Sequence, residues 1–189
     1  MESVMQIQIT DHMKDIATAA DSMVRRNVLK KHKNKTYTDL NPAAEGKYYY
    51  GYLGELIFME LMKLSNKHAE YRPKFDGTSD IGDVYLFTKD LVMVADIKTA
   101  PKLTHQYLMI PKVQFNKHPY SKYIAVRLGD SAGEVLGYAG ADDLYLLEVR
   151  TLTIPTIGLM FTELKPIQNL IDILEDGPAV VDLHNLKRK

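Results

Sequence analysis

Cysteine and tryptophan are both absent from this chain of 189 residues. Without cysteine no disulfide framework forms, and no thiolate-ligated zinc or iron–sulfur centre is possible. The absence is compatible with a reducing compartment. Long apolar runs are missing as well: no stretch approaches the roughly 20 residues needed to span a bilayer. The start, Met1-Glu2-Ser3-Val4, has no basic stretch leading into an apolar one, so no secretory signal is read there. A cytoplasmic location is expected, or host cytoplasm if the chain is phage-encoded, with no membrane partner. The sequence also lacks a glycine-rich phosphate loop, a G-x-S-x-G elbow and any pair of its 6 histidines at metal-binding spacing. Those absences argue against loop-bound nucleotide chemistry, a serine hydrolase and a histidine-ligated zinc site.

Net charge is the last absence, 24 Lys+Arg against 24 Asp+Glu, and it hides a segregation. Residues 22–36 carry Arg25, Arg26, Lys30, Lys31, Lys33 and Lys35 without an acid, and residues 97–128 carry Lys98, Lys102, Lys112, Lys117, Lys122 and Arg127, again without one. Brought to one surface, two such windows make a positive face suited to phosphate; kept apart, they are ordinary solvated faces. Arg25, Arg26, Lys30, Lys31, Lys102, Lys112 and Lys117 are the candidate nucleic-acid contacts.

What is present is ordinary for a folded domain: 46% apolar and 25% charged residues. The length fits a single domain over 1–189, with a core at about 44–144, an N-terminal helical elaboration at about 4–43 and a C-terminal one at about 149–189. Met13, Ile16, Ala20, Met23 and Val24 recur at helical steps within residues 4–33. A second helix is expected over about 44–67, with Leu53, Leu56, Ile57, Leu61 and Leu64 on an apolar face. Gly51 and Gly54 inside it each cost about 1 kcal/mol against alanine, which points to the close approach of another backbone or a ligand. Two strands follow, 83–88 and 91–98, joined by Lys89-Asp90 as a hairpin. Short strand 107–110, short helix 112–117, an antiparallel pair at 123–128 and 134–138, and an amphipathic helix at 167–174 complete the reading.

The chemistry lies in Glu55, Asp83, Asp96 and Lys98. Asp96 and Lys98 are two apart on a strand, so both side chains project to one face. Asp83 opens the neighbouring strand, where it can lie beside Asp96. An apolar strand should not end in a buried Asp and Lys without a reason, because burying charge is costly. A divalent cation supplies one: carboxylates, the backbone carbonyl of Ile97 and water form the all-oxygen set that Mg²⁺ prefers. Lys98 beside it would orient an attacking water or stabilise charge on a phosphate, so metal-assisted phosphodiester hydrolysis is the candidate reaction. Each residue also has a plainer role: an edge-guarding lysine, a surface ion pair, an exposed helix glutamate. Tyr48 and Tyr52, on the helical face of Glu55, would ordinarily be semi-buried packing.

Gly82-Asp83, twelve residues, then Asp96-Ile97-Lys98 resembles the signature of the PD-(D/E)xK nuclease superfamily. Gly51-Tyr52-Leu53-Gly54-Glu55 resembles the first core helix of that family, with its metal-binding glutamate. The resemblance covers roughly residues 47–144, with Gly82 where the family frequently has proline. It implies an α/β fold with a restriction-endonuclease-like α-β-β-β-α-β core, whose mixed central sheet is flanked by helices. It implies Mg²⁺-dependent cleavage of nucleic acid (Mn²⁺ substituting), with Asp83, Asp96 and Glu55 as ligands and Lys98 as the catalytic lysine. Gln114 sits where many members carry an active-site glutamine. Asp80 competes with Asp83 for the first ligand position.

The expected function is a DNA endonuclease of restriction or phage DNA-processing type, acting as a homodimer, with RNA as the other substrate. A non-catalytic nucleic-acid-binding or anti-defence protein on the same fold is the alternative. A third reading is an interaction protein in which the acids and lysine coincide by chance.

Overall fold

The computed structural model describes residues 4–31, 46–73, 84–117, 119–145, 147, 149–151 and 154–183. Its first element corrects the helical reading of residues 4–33. Gln6, Ile7 and Gln8 alternate with period two, and only Ile7 is buried, so Met5–Gln8 forms strand β1. Helix α1 (Asp11–Lys31) begins after it, with Thr10 Oγ1 accepting the backbone N–H of Met13 at 3.2 Å. That bond satisfies one of the donors every helix start leaves open.

Helix α2 (Lys47–Leu64) is apolar over most of its circumference, which marks a helix packed on several sides. It ends where Asn66 takes a left-handed conformation (φ 51°). The N–H of Lys67 then returns to the carbonyl of Met62 at 2.9 Å, a Schellman closure. This reversal feeds strand β2 (Ala69–Tyr71) and, later in the chain, the hairpin of β3 (Val84–Phe87) and β4 (Val92–Ala100). Then come β5 (Tyr107–Pro111), the six-residue helix α3 (Lys112–Lys117), β6 (Lys122–Leu128) and β7 (Ala132–Gly140).

The C-terminal part is not the helical addition expected. After α4 (Ala141–Tyr145) it contributes β8 (Val149–Thr151), β9 (Pro155–Met160), helix α5 (Ile167–Ile173) and β10 (Ala179–Val181). Only α5 matches the helical spacing read there. The strands escape such a reading because they are three to six residues long, and β9 and β10 pair with β5 and β2, far away in sequence.

The main sheet has seven strands in the order β1-β7-β6-β4-β3-β2-β10. It is mixed: β4 runs parallel to β6 and β2 parallel to β10, and the other pairs are antiparallel. The chain is therefore an α/β protein. Because successive strand residues face opposite sides, each face of the sheet carries its own core. Ala95, Ile97, Ile124 and Val126 meet Leu53, Ile57 and Met62 of α2 on one face. Tyr123 and Ala125 meet Phe115 of α3 and residues of a smaller antiparallel sheet, β5-β9-β8, on the other. Tyr48 and Tyr52 pack against Ala20 and Val24 of α1, as the plainer reading of those tyrosines had it. Among the described residues no helix is long and apolar enough to cross a membrane.

Candidate active site

Helix α2 crosses the end of β4 at Gly54. A Cβ at that position would stand 1.9 Å from Thr99 Oγ1 and 3.0 Å from Thr99 Cβ and Cγ2, so only glycine allows the approach. The next residue, Glu55, is thereby held beside the strand. Gly51, one turn earlier, faces open space. The close approach expected at both glycines exists at Gly54 alone.

On β4 the side chains of Ile97 and Thr99 turn toward α2, and those of Asp96 and Lys98 turn to the other face. The last described pair between β3 and β4 is Val84 with Ala95. Past that point, residues 96–100 of β4 keep β6 as their described neighbour.

Asp96 is 3% exposed, deeper than any other charged residue described. Its Oδ2 accepts Lys98 Nζ at 2.7 Å and Gln114 Nε2 at 3.3 Å. Lys98 Nζ also donates to Gln114 Oε1 at 3.1 Å. The three side chains close a triangle in which the amide both donates and accepts. Such closure is what a buried carboxylate requires, since an unpaired one carries a desolvation penalty of several kcal/mol. Gln114 reaches it because α3 follows β5 directly and is anchored by Phe115, 2% exposed beneath it.

Glu55 lies on the α2 side of β4, half-buried, with its Oε2 accepting the hydroxyl of Tyr71. Burial of the carboxyl pushes its pKa up to about 8. The Tyr71 bond opposes this, the charge of Asp96 adds to it, and that of Lys98 works against it. Tyr123, opposite Asp96 on β6, is pushed up to about 12, chiefly by burial. It accepts the backbone N–H of Tyr120 at 3.2 Å and stays a neutral phenol.

Asp83 and Asp80 lie outside the described residues. Ile97, expected to lend its carbonyl, sits in the β4–β6 ladder opposite Ile124 with its side chain in the α2-side core. Among the described residues no group of three or more His, Asp or Glu side chains is arranged to hold an ion. Glu55 and Asp96 form a pair. They are nevertheless the hard oxygen donors that Mg²⁺ takes, and the raised Glu55 pKa comes first from burial, with the charge of Asp96 a smaller contribution. Thr99 Oγ1, beside Gly54, is buried without a hydrogen-bond partner among the described residues, a further oxygen on the same side. By donor type, the residues present suit a divalent cation.

The basic candidates divide. Arg25 Nε pairs with Asp21 Oδ2 at 2.7 Å, an acid one residue outside the acid-free window. Exposed Arg26 donates to the carbonyl of Ser22 at 3.3 Å. The side chains of Lys30 and Lys31 lie outside the described set. Lys102, after β4, and Lys112 and Lys117, on α3, are exposed.

Sequence reasoning missed Tyr71 and Thr99. Nothing in a spacing of sixteen residues links Tyr71 to Glu55. The glycine at 54 signalled an approach without naming Thr99 as the neighbour. No family model, curated protein or solved structure matches the chain.

Proposed function

We propose that the chain is a divalent-metal-dependent endonuclease that hydrolyses phosphodiester bonds of DNA, built on a restriction-endonuclease-like core. The observation that carries this reading is the buried triangle of Asp96, Lys98 and Gln114 on β4 and α3, with Glu55 on the α2 side of the same strand within electrostatic reach of Asp96 and Lys98. A structural ion pair needs neither a second, neutralised carboxyl nor an amide tying acid to lysine. The succession α2-β2-β3-β4-β5-α3-β6, with β6 parallel to β4 and β5 belonging to the smaller sheet, is compatible with an α-β-β-β-α-β core that carries β5 as an insertion.

Asp96 and Glu55, with Asp83, would hold Mg²⁺ or Mn²⁺. When bound, the ion would polarise the phosphodiester and lower the pKa of water. Lys98 Nζ is aimed by its contacts with Asp96 and Gln114. From there it orients the attacking water and stabilises negative charge on the non-bridging phosphate oxygens. The water oxygen bonds to phosphorus, one bridging P–O bond breaks, and a proton passes to the leaving oxygen. Lys102, Lys112 and Lys117 would hold the flanking backbone through salt-dependent contacts. A homodimer would place two such sites for cutting both strands.

The test is cleavage of supercoiled and linear DNA with Mg²⁺, Mn²⁺ or EDTA, with Asp96→Ala as control. Metal-dependent product that disappears in Asp96→Ala is expected. Salt-sensitive DNA binding without product in either metal would select the non-catalytic binding protein instead.

A further inference from the structure

Beside the triangle lies a cavity of about 340 Å³ that the proposed hydrolysis does not use. Lys98 forms part of its wall. The remainder comes from Pro101 after β4, from His105 and the start of β5 with Tyr107 and Met109, and from Phe161, which follows β9. Phe161 is held in place by its backbone N–H, donated to the carbonyl of Gln106 at 2.9 Å. Tyr107 and Phe161 are both half-buried, leaving part of each ring to line the space. Among the described residues no carboxylate lines it.

Three properties bear on what fits. The volume is near the lower end for ligand pockets, about 300–1,000 Å³, which is room for one nucleoside and too little for a duplex or a helix. The walls are two aromatic rings with apolar surface, and nucleobases of any identity stack on such walls. The one fixed charge is Lys98, shared with the cluster assigned to the phosphate, so an occupant continues directly from the scissile group. An acid-free lining next to a lysine excludes a cationic occupant and suits one attached to a phosphate.

Resting on the nuclease reading, we infer that this cavity takes the base of a nucleotide next to the scissile phosphate. The preferred substrate is therefore single-stranded nucleic acid, or a nucleotide extruded from a duplex. A base inside a duplex is not available to such a pocket; it enters only unpaired and unstacked.

The experiment uses the full chain in EDTA, so that binding is read without cleavage, and short fluorescent single-stranded oligonucleotides in which an abasic residue is moved position by position. At one position the loss of the base weakens binding by roughly tenfold or more, and the matched duplex binds more weakly than the intact single strand. Phe161→Leu, which keeps an apolar side chain at the site, weakens the intact strand similarly and abolishes the abasic step, because base and ring act on each other. Binding indifferent to abasic placement, an abasic step unchanged in Phe161→Leu, or no binding of either strand form would overturn the inference. Parallel cleavage with Mg²⁺ separates the two ideas. Base-dependent binding without product leaves the pocket standing and removes the nuclease. Product without base dependence does the reverse.

Discussion

Gly54 of α2 and Thr99 of β4 are in backbone-to-side-chain contact so close that any Cβ at 54 would overlap Thr99 Oγ1. Rotating Thr99 does not open the space, because its Cγ2 stands 3.0 Å from the same point. The helix propensity that alanine brings, about 1 kcal/mol over glycine, is opposed by an overpacking cost of about 1–3 kcal/mol. Gly54→Ala should therefore lower stability, and should lower cleavage further by moving Glu55 off the strand. Adding Thr99→Ala should recover part of both. Denaturant melts and cleavage rates on the two variants check this, and a Gly54→Ala protein as stable and active as the parent would refute it.

Lys98 has two jobs that separate experimentally. Its side chain is 22% exposed and that of Asp96 4%, so removing the lysine leaves a carboxylate in the interior with the Gln114 amide as its described partner. Lys98→Ala should reduce cleavage by about 10²–10⁴-fold and also melt lower than the parent in EDTA. Neutralising the stranded charge with Asp96→Asn in the same protein should restore melting temperature but not activity. Equal melting of the single and double variants would show that Asp96 does not depend on Lys98.

The raised pKa of Glu55 fixes the sign of a pH effect on the metal-free protein. A carboxyl whose folded pKa is above its unfolded value binds its proton more tightly when folded. Its stabilising contribution is complete below the ordinary carboxylate range and is lost as pH rises through about 8. Glu55→Gln cannot ionise and still accepts the Tyr71 hydroxyl. In EDTA it should melt above the parent at alkaline pH, and the gap should close as pH falls into the carboxylate range. Parallel melting curves at every pH would show that Glu55 ionises freely.

Gly137 offers a test of the fold remote from the chemistry. It lies at the irregularity in the β6–β7 ladder with φ +155°, and a Cβ there would stand 2.5 Å from the carbonyl oxygen of Lys165. That carbonyl accepts the N–H of Tyr138 at 3.0 Å, and the N–H of Lys165 returns to Tyr138 at 2.9 Å. Gly137→Ala should break this pair of bonds and lower the melting temperature by roughly 5–10 °C. Activity per folded molecule below the transition should not change.

Much of this was legible in the sequence for a physical reason. The face shared by Asp96 and Lys98 follows from strand alternation, and the hairpin from two β-rich runs with a two-residue turn. What was not legible depends on partners distant in the chain. The strand at Met5–Gln8 exists because β7 offers it an edge, with Ile7 opposite Gly133. Tyr71 meets Glu55 only once Asn66 has reversed the chain. The two charge windows looked acid-free because a linear count stops at residue 22, whereas a helix brings Asp21 alongside Arg25 four residues on. Glu134 likewise reaches back to Arg127 across the β6–β7 turn, at 2.6 Å.

The six residues of α3 carry a last consequence. A helix that short does not hold itself together in water; Phe115, packed at 4.8 Å from Tyr145 and 5.9 Å from Tyr123 between ring centres, keeps it in place. Gln114 therefore rides on a short element tied to the second core through the single buried side chain of Phe115. Heat should silence such a protein before it melts it, and amide protons of 112–117 should exchange well ahead of those in β4 and β6.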